Sequence, residues 1–356
     1  MPAQICHLLF AEEALLGALG GRAAGLLERH GNLFRFGAQG PDFFYHNQRT
    51  RPTGLKYAVA AHHEGYGRLT ADLVREFRRL EARGIDEAAR GELAAFTLGW
   101  VTHAFLDRVT HPFIVYFSGW VDPGRPETAK YFRCHIFFER ILDVLILRER
   151  RGQEAAALSL PGLLGCGPVL PYPLVKTLLK ALNAAYPGMT RKSLDRRRIE
   201  NAYADAMFFY TYTDPSEPRY RRLALERDRE APKRRLALFH PLELPRDIDF
   251  LNLTGAPWRH PCLEELTSTA SFPQLYAEAL AQAVPALSVV AEALEGGRPP
   301  EEVETAVGNA SLNTGLERSQ RCRLAQSDPL PLPELLDGLY RLSGLPAERD
   351  DPRPLN

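Results

Sequence analysis

The stretch L-G-W-V-T-H-A-F-L-D-R-V-T-H-P-F, residues 98–113, is followed after a loop by Y-F-R-C-H-I-F-F-E-R-I-L-D, residues 131–143. His103, Asp107 and His111 stand at i, i+4 and i+8. A helix turns about 100° and rises ~1.5 Å per residue, so all three project from one stripe. Gly99 continues that stripe one turn earlier, where a missing side chain leaves room. The second piece repeats the device, with His135 and Glu139 at i and i+4 and Asp143 one turn further on. One such pair is ordinary in a helical core. Five ligand-type residues on faces otherwise built from Phe, Leu, Val and Ile are not, because unpaired polar groups are costly to bury and a metal ion removes that penalty. Pro112 disfavours helical conformation at the residue before it, so the helix that begins near Ala88 is expected to end at His111.

Working outward, Gly40-Pro41-Asp42 is a turn signal that holds Asp42 on a loop, with Phe43, Phe44 and Tyr45 following as candidate pocket walls. Residues 54–83 read as one helix. His62 and His63 are adjacent within it and point about 100° apart, so only one shares a metal with Asp42. His62 is preferred, and the choice stays open between the two. Residues 5–27 read as the first helix, with His7 near its start.

Beyond residue 151 the pattern changes. A Pro/Gly-rich apolar run covers residues 155–175, followed by helices at Leu174–Ala185 and Ser193–Tyr212. Arg219–Arg235 alternates basic and acidic residues, the signature of a solvated face or linker, with an arginine clamp on phosphate as the functional alternative. Asp247–Pro261 reads as irregular and Phe272–Glu295 as an amphipathic helix. No stretch alternates like a strand, and the expected class is all-α. Three regions are expected: a metal-binding helical core over 1–150, a helical continuation over 151–320, and a Pro-rich tail over 321–356.

The 356 residues suffice for a large core without disulfides. Basic and acidic residues balance at 44 each, which gives no net field for nucleic acid or anionic membrane. The five cysteines are odd in number, scattered and without a C-x-x-C pair, and predict free thiols in a reducing compartment. The first residues lack a basic region and place Glu12 and Glu13 within the apolar part, unlike a signal peptide. The uncharged run 155–175 carries four prolines, which break the hydrogen bonding a membrane helix needs. A cytoplasmic protein with no transmembrane segment is expected.

The ligand-type residues in order are His7, Asp42, His62 or His63, His103, Asp107, His111, His135 and Glu139. Nitrogen and oxygen donors without cysteine suit catalytic zinc, with manganese and iron as alternatives, and their number exceeds the need of one ion. A carboxylate between two histidines on one helix, Asp107, is suited to bridging two ions.

This set, G-P-D, then H, then H-x-x-x-D with a following H-P-F, then H-x-x-x-E, resembles the zinc-dependent phospholipase C family. Its multi-helical fold is shared with the P1-type nucleases and holds a metal cluster in a central cleft. The likeness is strongest over residues 5–143 and extends weakly to D-F-L-N-L…W-R-H-P and to S-L-N-T-G-L at 311–316. It implies one zinc on Asp42, His62 (or His63), His103 and Asp107, a second on His111, His135 and Glu139, and a third on His7 with bridging Asp107. Two ions are expected. In secreted members the third is completed by a processed N-terminal tryptophan, where this chain reads M-P-A-Q. The implied activity is phosphodiester hydrolysis by metal-activated hydroxide, with Asp42 as ligand or orienting base and a phospholipid as candidate substrate. The alternatives are a single-strand nuclease, which needs an aromatic platform such as Phe43, Phe44, Tyr45 or Trp258, and a metal-stabilised binding protein without turnover.

Overall fold

The computed structural model describes residues 3–189, 195–317, 320 and 322–342. Fourteen α-helices and one small hairpin are found among them. The expected single helix over 5–27 is two, α1 (Gln4–Leu19) and α2 (Arg22–Ala38), because Gly20 at φ 54 and Gly21 terminate the first. A one-turn helix α3 (Asp42–Tyr45) follows. Asp42 therefore opens a helix, where the turn signal predicted a loop. The expected helix over 54–83 is likewise broken, into α4 (Leu55–His63) and α5 (Tyr66–Glu81), at Gly65 with φ 77.

The long helix α6 runs from Glu87 to Ser118, N-capped by Asp86, whose side chain accepts from the Ala89 N–H at 2.8 Å. It does not stop at His111. Pro112 removes one helical hydrogen bond, but Phe113, Ile114 and Val115 beyond it are buried, and that packing carries the helix on to Ser118, about two turns further. Phe113 lies against the rings of Phe138, Trp258 and Phe272. Helix α7 (Cys134–Arg151) lies beside α6, followed by α8 (Leu160–Leu164) and α9 (Tyr172–Ala185). The apolar run 155–175 is packed at Leu160, Leu164, Leu170, Leu174 and Val175, while Val169 and Tyr172 are exposed.

Helix α10 is described over Asp195–Tyr212; the expected start at Ser193 lies outside the described residues. The charged stretch forms helix α11 (Pro218–Glu230), not a linker. The segment read as irregular contains an antiparallel hairpin, β1 (Trp258–His260) with β2 (Leu263–Ser268), a feature too short to show as alternation. Helix α12 (Phe272–Leu294) begins at a Ser271–Gln274 capping box. It is long and apolar enough to cross a bilayer by length and composition. Here it packs on α1 and α6, with Phe272, Tyr276, Ala279, Ala283 and Leu287 buried. Helices α13 (Pro300–Val307) and α14 (Leu332–Leu342) complete the described chain.

One apolar core extends from Ile5 to Leu336. Its tightest seam is the crossing of α2 and α6. A Cβ on Gly99 would lie 2.0 Å from the Phe34 carbonyl oxygen, and one on Gly37 would lie 2.3 Å from that of Phe96. Gly99 thus serves helix contact and not, as the stripe suggested, space beside the histidines. The expectation of free thiols is overturned for one pair: Cys262 and Cys322 form a disulfide that ties the hairpin to the C-terminal segment. Spacing could not reveal it, since 60 residues separate the two. Cys6, Cys134 and Cys166 are free.

Candidate metal centre

Four helices deliver the donors. α1 presents His7 in its first turn, α3 opens with Asp42, α4 carries His62 in its last turn, and α6 carries His103 and Asp107 one turn apart. His103 Nε2 stands 3.1 Å from Asp107 Oδ2, as the i, i+4 spacing predicts. His62 Nε2 is 3.1 Å from Asp42 Oδ1 and 3.7 Å from Asp107 Oδ2, and His7 Nε2 is 3.3 Å from Asp107 Oδ1. The His7 and His103 rings stack at 4.2 Å. Among the described residues, two sets of donors converge within 4.8 Å: His7, His103 and Asp107, and Asp42, His62 and His103. His63 is exposed and points away from both.

The residues fit a metal by a direct physical test. Both ring nitrogens of His7, Asp42 Oδ1, Nε2 of His62 and His103, and both carboxylate oxygens of Asp107 are buried with no hydrogen-bond partner. Orphaned polar atoms of this kind are costly unless an ion satisfies them. The rings are also oriented for ligation. His62 Nδ1 donates to the Ala58 carbonyl at 2.8 Å and His103 Nδ1 to that of Ala38 at 3.2 Å, which leaves each Nε2 as the lone-pair nitrogen facing the cluster. Gly40, at φ 52, brings the G-P-D turn against His103, where a Cβ would lie 2.3 Å from the ring. Burial pushes the Asp107 carboxyl up, but His103 and His7 beside it outweigh this and hold it well below the usual carboxylate range.

His111, His135 and Glu139 lie apart from these sets. His135 Nε2 is 2.9 Å from Glu139 Oε1, and the His111 and His135 rings are 5.0 Å apart. Their donors do not make a third convergent set among the described residues. Burial opposes ionisation of Glu139, while His135 next to it favours the carboxylate. Burial, and the nearby His135, lower that of His111.

Supporting groups from elsewhere were less visible in the sequence. His111 Nδ1 donates to the Asn313 carbonyl at 2.5 Å, while the His62 carbonyl accepts from Leu312 N at 2.9 Å and Ser311 Oγ at 3.1 Å. The S-L-N-T-G-L segment is therefore the clasp of two site histidines. Gly315 within it has φ 68 and sits where a Cβ would lie 2.8 Å from the Arg108 carbonyl oxygen. Asp143, on the stripe of His135 and Glu139, faces another partner set: it accepts from Ile5 N at 3.1 Å and Cys6 N at 2.7 Å and pairs with His240 at 2.8 Å. It thereby fixes the start of α1, next to His7. His260 is bound to the Thr314 carbonyl and lies outside the cluster.

Histidines and carboxylates gathered from separate helices, with unpaired donor atoms in an otherwise apolar core, define a helical metalloprotein. The zinc dependent phospholipase C family matches residues 6–186, half of the chain, and the chain belongs to that family. Membership makes it a metal-dependent hydrolase of the phosphodiesterase or lipase kind, with zinc as the family's metal. No curated protein matches it, and no solved structure does.

Proposed function

We propose that the protein hydrolyses the phosphodiester of a phospholipid by attack of water on phosphorus. The supporting observation is the set of orphaned, buried donor atoms on His7, Asp42, His62, His103 and Asp107. Asp42, His62, His103 and Asp107 would hold one zinc ion, His111, His135 and Glu139 a second, and His7 with Asp107 a third. Bound zinc would supply Lewis acidity, lowering the pKa of water towards neutrality and offsetting charge on the phosphate oxygens. Asp42 is the more open carboxylate, its side chain 11% exposed against 0% for Asp107. It orients the attacking water and receives its proton. His62 and His103 stay in one tautomer because backbone carbonyls occupy their Nδ1 protons.

The nuclease alternative loses the platform residues expected for it. Phe43, Phe44 and Trp258 are buried in the core, and Tyr45 packs against the His62 ring at 5.0 Å. The test is zinc per chain by elemental analysis, run beside hydrolysis of phosphatidylcholine and of single-stranded DNA. Two or three zinc ions with turnover of the lipid are expected. Tightly held zinc with no turnover of any phosphodiester would replace the proposal with a metal-stabilised binding protein. Absence of metal after attempted reconstitution would overturn it outright.

A further inference from the structure

A cleft of about 650 Å³ opens beside His111 and His135. Its walls are Val115, Trp120, Val121, Tyr131, Phe132 and Ile136, and two cations, Arg133 and Lys233, line it as well. Arg133 is the unusual one. Its guanidinium makes no hydrogen bond or ion pair among the described residues, and its Nη1 is buried without a partner. Asp228 acts on it through space only, because its oxygens are hydrogen-bonded by the Arg235 side chain, by Tyr340 Oη at 2.7 Å, and by the N–H groups of Lys233 at 3.0 Å and Arg235 at 2.7 Å. Arg133 is also held at φ 64, ψ 6, a backbone conformation that residues with a Cβ rarely adopt. That conformation places it at the N-terminus of α7, two residues before His135.

A part-buried guanidinium with an unpaired Nη1, whose acidic neighbour Asp228 is shared with Arg235, is an unfavourable arrangement that an anion improves. The apolar walls strengthen any such attraction by lowering the local dielectric. A planar guanidinium suits a phosphate or carboxylate, which it binds through paired N–H groups. On the proposed ligand set the scissile phosphodiester is taken up by the metal centre, whose His111 and His135 form one end of this cleft. The charge in this cleft answers a different group.

We propose that Arg133, assisted by Lys233, forms an anion subsite that selects substrates carrying a second acidic group beyond the phosphodiester. This rests on the hydrolase reading above and adds the substrate class. The cleft's size is that of a head group and not of paired acyl chains. A second phosphate and a carboxylate share the required chemistry.

The test compares kcat/KM of the zinc-loaded protein for phosphatidylinositol 4-phosphate, phosphatidylserine and zwitterionic phosphatidylcholine in the same detergent micelles. The wild type should prefer the acidic lipids, and the order of the first two identifies phosphate or carboxylate as the preferred group. Arg133→Gln should reduce the acidic-to-zwitterionic ratio about tenfold or more, the loss expected for a charged hydrogen bond. Lys233→Gln should reduce it less, and Arg133→Lys should restore part of it. Unchanged zinc content and circular dichroism establish that the variants fold. No preference in the wild type, or a ratio unmoved by Arg133→Gln, would overturn the subsite. If no lipid is turned over, the hydrolase reading fails by itself, and the subsite is then read by sedimentation with phosphatidylcholine vesicles with and without phosphatidylinositol 4-phosphate. Binding that depends on the acidic lipid and is weakened by Arg133→Gln would uphold it, and binding indifferent to either would end it.

Discussion

Asp107 turns one oxygen towards His7 and the other towards His103 and His62, and so faces histidines of both donor sets, which share His103. An amide cannot bridge two cations as a carboxylate does. Asp107→Asn should therefore lose at least one zinc ion and about 100-fold or more in rate, since even outer-sphere partners of a metal are worth 10–100-fold. Full zinc content at full rate would remove Asp107 from the centre. His62→Ala should lose metal while His63→Ala keeps it, measured by elemental analysis, because only His62 turns inward. The sequence placed the pair but could not choose, since the choice depends on the helix phase set by the break at Gly65. His46 titrates in the opposite sense from a paired histidine. Burial lowers its pKa to about 4, against about 6.5 in the unfolded chain. Its contribution to stability is thus complete above the unfolded value and is lost as pH falls towards 4. Denaturation midpoints should show this slope between those values, and His46→Phe, which keeps the stack on Phe209, should flatten it.

At the scale of elements, α6 does two tasks at once. It holds three of the site residues, and through Gly99 it meets α2 backbone to backbone. Gly99→Ala would force a methyl into the Phe34 carbonyl, and separating the helices should cost about 2 kcal/mol. Urea midpoints of the two proteins would measure it, and equal midpoints would mean the seam is slack. The i, i+4 stripes of α6 and α7 were legible because helical periodicity is local. The continuation through Pro112 was not, since it depends on the buried contacts of Phe113 with residues far along the chain. The same holds for the clasp of His111, where a backbone carbonyl at residue 313 does the work and side-chain identity carries little signal. The helix breaks at Gly20 and Gly65 were present in the sequence as glycines, but apolar periodicity on both sides concealed them.

For the molecule as a whole, the apolar core joins the first helix to the last one described, and the all-α class followed from the scarcity of alternation. What composition could not show was the cross-link. The Cys262–Cys322 bond closes a long loop, so in the chain-entropy account reduction should lower stability by up to about 4 kcal/mol. Thermal unfolding with and without dithiothreitol measures this, with Cys262→Ser/Cys322→Ser as the reagent-free control. Zinc content should survive reduction, because neither sulfur lies among the donor residues.

The clasp at residues 311–313 also bears on the order in which the chain is made. Every proposed metal ligand, from residue 7 to residue 139, emerges from the ribosome long before the segment whose carbonyl and N–H groups steady His111 and His62. A nascent chain, or a fragment cut at residue 186 where the family match ends, carries the complete ligand list with the His111 ring and the His62 carbonyl not yet held. The proposed ligand set is thus fully braced only when the polypeptide is nearly complete, and not when its histidines appear.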